Sequence, residues 1–243
     1  MKNNITAIIF SVAIMISAYL LGNAFMNRNK VESTISVTGL GNEDFTSDLI
    51  VWGGSFTKES YNLTEAYSDL EKDKTIITEY LKAKGIGDSE LVFKAVKSTK
   101  NQKRKYSESG KYIGDEFLGY ILTQSLQVES NDVEKVEKIS REVTQLLNKG
   151  IQFYSEAPRY YYTKLADLKI EMISRATADA RQRAEIIATN SGGKLGELVS
   201  AKMGIFQITG QNSNEEYSWG GTYNTSSKKK TASITMKLTY KAN

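Results

Sequence analysis

The sequence predicts an α+β fold, a mainly antiparallel sheet with helices packed on it. Three observations predict it. Alternation of apolar and polar residues marks strands, most clearly at 34–41 and 230–240. Apolar residues at helical spacing mark 62–84, 131–149 and 163–190. The two kinds of element mix without strict alternation, in the order β-β-α-β-β-α-β-α-β-β.

"TISVTGLG" (34–41) alternates Ile35 and Val37 with polar residues and ends in two glycines, predicting a strand and a turn. "DLIVWGGSFTKES" (48–60) reads as a second strand, where Gly53-Gly54 predict a bulge or a close backbone approach. In 62–84, Asn62 and Glu65 are spaced as a capping box, and Gly85 is placed to stop the helix. Strands are expected near 90–98 and 116–129, with the polar connection "TKNQKRKYSESGKYIGD" between them. Asn131 and Glu134 repeat the capping-box spacing, opening a helix that ends at Gly150. "IQFYSE" (151–156) is a short strand before Pro158, and "YYY" (160–162) reads as the start of the longest helix packing on the sheet. Two last strands are expected near 195–209 and 230–240. "GIGDSELV" (85–92) and "GGKLGELV" (192–199) both run from a helix through glycines into Glu-Leu-Val. That echo reads either as an internal duplication or as coincidence.

Composition narrows the function classes. The 243 residues suit one or two domains with a sizeable core. Setting aside Lys2, Arg28 and Lys30 leaves 29 basic against 28 acidic residues. So near-neutral a chain lacks the basic excess of a nucleic-acid binder, and no nucleic-acid partner is expected. There is no cysteine and no histidine, which excludes disulfides, thiolate sites, histidine bases and histidine metal ligands. No metal and no cofactor are expected.

Residues 1–30 predict an address. Twenty-two residues from Ile5 to Met26 carry no charge, about the length that crosses a bilayer. Gly22-Asn23-Ala24 offers the small residues a signal peptidase reads. An uncleaved inner-membrane anchor with the domain in the periplasm is the first expectation. Cleavage near Ala24, releasing a soluble periplasmic protein, is the alternative. The expected organisation is an anchor and linker at 1–30 and one α+β domain at 31–243.

Few features suggest chemistry. Met172, Ala176, Ala180, Ala184 and Ala188 recur every four residues, tracing one packing ridge of a helix with charged residues elsewhere. Gly192, Gly193 and Gly196 follow that helix, the wrong order for a phosphate loop, whose glycines precede one. "KNQKRK" (100–105) and "KKK" (228–230) read as solvated basic runs balanced by nearby acids such as Glu108, Asp115 and Glu116, with contact to nucleic acid or anionic lipid as the alternative. The acid pairs Glu43-Asp44 and Glu215-Glu216 show no spacing that implies paired catalysis. No catalytic residue is assigned, and a non-enzyme is expected. The segment "GQNSNEEYSWGGTYNTSS" (210–227) stands out: Tyr217, Trp219 and Tyr223 lie among Gly, Ser and Asn, a setting typical of recognition. The alternative is a hairpin loop whose aromatics fold back on the domain.

"ISVTGLGNEDFTSDLIVWGGSFT" and "ATADARQRAEIIATNSGGKLGELVSA" together resemble the SIMPL domain family. The first resembles its V-x-G-x-G strand followed by an acidic residue entering a strand. The second is similar to its Ala-rich helix ending in G-x-x-L-G. The resemblance spans roughly 33–241. It departs where many members have proline, since Thr46-Ser47 precede Asp48 here. The resemblance implies an exported envelope protein, members that assemble into rings, a link to envelope or oxidative stress, and no established catalytic residues. It marks Gly39, Gly41, Asp48, Ala180, Ala184, Gly193, Leu195 and Gly196 as fold landmarks. The expected protein is a non-enzymatic binding or assembly module, a homo-oligomer held to the membrane by its N-terminal helix. An unknown envelope protein or a glycan is its expected contact at Tyr217, Trp219 and Tyr223. The alternative function is glycan binding or hydrolysis through the 210–227 loop.

Overall fold

Helix α1 (Lys2–Arg28) is followed by strands β1 (Thr34–Thr46) and β2 (Leu49–Ser60) and helix α2 (Leu63–Ala83). Strands β3 (Leu91–Phe93), β4 (Lys97–Tyr106) and β5 (Tyr112–Ser130) lead to α3 (Val133–Glu142). Short strands β6 (Phe153–Ser155) and β7 (Arg159–Tyr161) precede α4 (Leu165–Asn190). Strands β8 (Leu195–Met203), β9 (Gln207–Gly210) and β10 (Lys229–Ala242) close the chain. This computed structural model describes residues 2–28 and 33–242, with side chains from Phe10 to Met26 and from Ser33 to Ala242. The expected boundary at residue 30 lies outside the described residues.

The architecture is α+β with antiparallel strand pairing, as predicted. The strands form two sheets, ordered β1-β10-β8 with β9 on β10, and β3-β5-β2-β6 with β4 on β5 and β7 on β2. Two compact units are distinguished. One holds the residues up to Leu40, Ala176–Gly204 and those from Thr235; the other holds Gly41–Arg175 and Ile205–Ile234.

The larger unit is built on the pairing of β2 with β5, continuous from Ile50 opposite Ser130 to Ser60 opposite Tyr120. Alternate residues share a face, so Ile50, Trp52 and Phe56 align with Leu122, Leu126 and Val128. Leu70, Ile77 and Leu81 of α2 and Val136 and Ile139 of α3 join them in one buried cluster. Burying side chains of this kind stabilises by about 1.5–3 kcal/mol each. Between the glycine alternatives, close approach is the one found. The unbroken register rules out a bulge. A Cβ on Gly53 would lie 2.7 Å from the Leu126 carbonyl, and one on Gly54 would lie 2.5 Å from the Phe153 ring.

Several boundaries move. Gly39 and Gly41 lie within β1, which runs on to Thr46, so no turn forms there. Half of the polar connection is strand β4, paired along β5 from Lys97 opposite Thr123 to Tyr106 opposite Tyr112. "YYY" begins no helix: Tyr160 and Tyr161 are in β7, opposite Ile50 and Leu49. Asn62 caps α2, its side chain accepting the Thr64 and Glu65 N–H groups. Glu65 closes no capping box, because it accepts from the Ser60 hydroxyl. At α3 the cap is Asp132, which accepts from Lys135 N–H, while Asn131 donates to the Asp48 carbonyl.

In the smaller unit, β8 pairs with β10 from Met236 opposite Met203 to Ala242 opposite Leu195. Ala176, Ala180, Ala184 and Ala188 of α4 are buried. Gly39 lies against this ridge so closely that an added Cβ would sit 2.7 Å from the Ala180 Cβ and closer still to the Ala176 carbonyl and Ala180 nitrogen. The Asp179 carboxylate accepts the Leu40 N–H at 2.8 Å and the Arg183 guanidinium at 2.9 Å. These hydrogen bonds, the Leu40 N–H first, hold its carboxyl below the ordinary value.

The repeated helix-to-strand pattern has a local cause. Gly85 and Gly192 have φ of 87° and 78°, a backbone that glycine adopts readily. Their N–H groups bond Lys82 and Thr189 carbonyls, and the next N–H groups bond Leu81 and Ala188. That is the Schellman stop. Gly150 makes the same stop through Leu147 and Leu146, with no Glu-Leu-Val after it. Shared stop chemistry accounts for the glycines of the echo, but not for the Glu-Leu-Val that follows them.

Helix α1 differs from the others. Phe10, Ile14, Tyr19, Leu21, Phe25 and Met26 are all exposed along it. Among the described residues, no helix is long and apolar enough to cross a membrane. The side chains of residues 2–9 lie outside the described residues.

Candidate functional site

The segment 211–228 joins β9 to β10, which pair from Ser233 opposite Gln207 to Lys230 opposite Gly210. Eighteen residues without strand or helix would be loose unless their polar groups found partners. Here two side chains organise them. The buried Gln207 amide donates to the Ser218 carbonyl at 2.8 Å and accepts the Thr222 N–H at 2.6 Å. Glu215 accepts the Gly210 N–H at 2.8 Å and the Asn224 amide. These hydrogen bonds, Gly210 first, hold the Glu215 carboxyl below its ordinary value. Ile208 and residues 222–224 exchange backbone bonds, with Ile208 N–H to Thr222 and Asn224 N–H to Ile208. The segment is therefore a folded loop.

Beneath it lies Lys230, only 1% exposed. Its ammonium donates to the Tyr160 carbonyl at 2.8 Å and to the Asn224 carbonyl, and stands 5.9 Å from the Tyr223 ring centre. Burial pushes its pKa down to about 8, with Glu215 pulling the other way. Burial likewise raises the Tyr223 phenol above its ordinary value.

The three singled-out aromatics thus part company. Tyr223 packs over Lys230, and the Tyr217 hydroxyl bonds the Ser233 hydroxyl at 3.0 Å. Both aromatics fold partly back on the domain, though both keep exposed surface. Trp219 does not fold back: it is 96% exposed. The loop's internal hydrogen bonds hold the backbone around it, while the ring itself stands in water.

The other candidates have structural partners. Glu43 pairs with Arg175, and Asp44 accepts from Thr231 and from Gln211 at 2.9 Å. The run 228–230 is not a solvated tip. Lys228 pairs with Glu134 and with Glu137 at 3.0 Å, and Lys230 is buried. Period two would have found that burial, since Lys230 continues the inward series Ala232, Ile234, Met236, Leu238 and Tyr240. Gln207 gave no sequence signal, because its role depends on a loop that returns over it.

The landmark residues take structural places. The Asp48 carboxylate accepts the Thr163 N–H and hydroxyl, both at 2.7 Å, two residues before α4 begins. Ala180 and Ala184 are buried on the ridge, and Gly39 and Gly41 are buried in β1. Gly193 completes the stop of α4, Leu195 opens β8 opposite Ala242, and Gly196 follows it in β8. Among the described residues, no group of three acidic side chains could hold a metal ion.

The model of the SIMPL family, described as a protein of unknown function (DUF541), matches residues 35–240. The chain belongs to the SIMPL family. Comparison with the curated proteins gives no match. The match takes in both quoted stretches and runs from the second residue of β1 to Tyr240 of β10, and so includes the 211–228 loop. This SIMPL chain therefore carries its folded loop and Trp219 within the family region.

Proposed function

We propose that this SIMPL chain is a membrane-anchored, extracytoplasmic module that binds or assembles without catalysing a reaction. The exposure of α1 carries the reading. Its described apolar side chains face solvent, whereas α2 and α4 each bury a face. Exposed apolar surface of this extent is costly in water and at home in lipid. The uncharged run Ile5–Met26 would span the bilayer. The domain then projects on the side opposite the cytoplasm. Self-association is part of the proposal: β8 is an edge strand with Leu198, Val199 and Met203 exposed, a template for another strand. Fractionation tests the anchor. The full chain should stay with membranes through high-salt and alkaline washes, with its domain open to protease added outside the cytoplasmic membrane. Recovery of the intact chain in the soluble cytosolic fraction refutes it.

A second reading rests on Trp219. A pre-ordered loop with an open indole ring and neighbouring Ser, Asn and Glu groups suits stacking on a sugar face. Trp219→Ala should then abolish binding to envelope glycans with the melting temperature unchanged. Unaltered binding, or none by the parent chain across a broad glycan panel, removes this reading.

A further inference from the structure

Strands β4 and β5 pair beyond the end of the sheet. β2 accompanies β5 only as far as Tyr120, and from Asn101 to Gly119 the two strands pair with each other alone. At about 3.3 Å per residue this two-stranded arm, Asn101–Tyr106 against Tyr112–Gly119, is roughly 20 Å long. Its chemistry is lopsided. β4 carries Lys97, Lys100, Lys103, Arg104 and Lys105 and no acid, and its residues are almost all exposed. Lys111 adds a charge in the turn, where the exposed Glu108 offsets it, so the basic excess lies on β4. The acids of the opposite strand are partly engaged: Glu116 lies 3.5 Å from Lys105, and Asp115 is hydrogen-bonded by Tyr112. The far end is apolar and aromatic. Tyr106 and Tyr112 meet edge-on with ring centres 6.0 Å apart, and both are exposed beside an exposed Ile113.

We infer that this arm docks on an anionic lipid surface, with β4 against the headgroups and the Tyr106, Tyr112 and Ile113 end entering the interface. Two features choose this partner. Each lysine or arginine near a negatively charged leaflet adds attraction. Tyrosine prefers the headgroup level, where its ring is apolar and its hydroxyl wet. A purely hydrophilic polyanion would satisfy the charges and leave the aromatic end exposed. Lysines on an edge strand also discourage strand pairing, a role that needs no lipid. The inference rests on the anchored reading only for bringing the arm to a bilayer.

The chain has no cysteine, so Ser109→Cys in the exposed turn supplies a single labelling site. The full-length variant, carrying a polarity-sensitive dye there, is reconstituted into phosphatidylcholine vesicles with or without phosphatidylglycerol. Nitroxide-labelled lipids in the vesicles report contact by quenching. Quenching is expected only with phosphatidylglycerol and should fade at high salt. Replacing Lys100, Lys103 and Lys105 by glutamine should lower the ratio of docked to free arm about fivefold per lysine. Tyr106→Ser with Ile113→Ser should reduce quenching while leaving its salt dependence. Equal quenching in both vesicles, no quenching in either, or lysine variants that behave as the parent overturn the inference. A chain that fails to stay with vesicles of either composition overturns the anchored reading instead.

Discussion

Replacing Gly39 by alanine should loosen the smaller unit, and the structure sets the size of the effect. The new Cβ would meet the Ala176 carbonyl, the Ala180 nitrogen and, at 2.7 Å, the Ala180 Cβ. Carbon atoms in favourable contact stand about 3.5–4.0 Å apart, so helix and strand must separate by roughly 1 Å. Two of the three obstructing atoms are backbone, and no rotamer change relieves them. Overpacking of this kind costs about 1–3 kcal/mol, at its upper end when backbone must move. Alanine returns about 0.4–1 kcal/mol by restricting the unfolded chain. The net loss is about 2 kcal/mol. For a chain of this size each kcal/mol lowers the melting temperature by about 2–4 °C. Thermal and urea melts of residues 33–243 should show a fall of about 4–8 °C. Adding Ala180→Gly removes only the side-chain obstruction and adds a helix glycine costing about 1 kcal/mol, so the double variant should be no more stable than the single. An unchanged or raised midpoint for Gly39→Ala would mean that strand and helix do not touch as described.

Other outcomes follow from the same geometry. Ala184→Leu inserts three carbons into the buried ridge and should cost about 1–3 kcal/mol by urea titration; no loss would place the ridge in solvent. Asn62→Ala removes the cap of α2 and should cost about 1 kcal/mol by the same measurement. Lys230 binds protons less readily in the fold, at a pKa of about 8, than in the unfolded chain at about 10.4. The unfolded state therefore holds more protons between these values, and the Lys230 contribution to stability should rise by about 2 kcal/mol from pH 8 to pH 10. Lys230→Met should flatten that rise, and an identical pH profile for the two proteins would contradict the burial. Trp219→Ala should change the unfolding free energy by less than about 0.5 kcal/mol in a urea titration, because the ring is almost wholly in water.

Local signals read well where one rule decided the outcome. The four-residue spacing from Met172 to Ala188 identified the buried ridge, and Asn62 and Gly85 marked both ends of α2. Signals failed where tertiary pairing overrode local preference. Gly39 resembles a turn residue, yet it is glycine because α4 comes so close. β4 has the composition of a loop, but β5 offers it a ladder. Tyr160 and Tyr161 pair with β2 across more than a hundred residues of chain, which no local window contains. For the candidate site, the aromatic loop was legible as composition. The separation of Trp219 from Tyr217 and Tyr223 was not, because it depends on Gln207, Ser233 and Lys230 in the flanking strands.

Ala242 donates its N–H to the Ser33 carbonyl at 2.8 Å, and Ser36 and Thr239 hydroxyls meet at 3.3 Å. The first strand after α1 thus lies beside the last one. A ribosome releases these partners about two hundred residues apart, so the smaller unit cannot close until β10 has emerged. Contacts of such long sequence separation also make for slow folding. The same neighbourhood means that a few residues could join the two ends of the folded region. The chain could then be reopened at the exposed turn around Ser109 as a circular permutant with every strand retained.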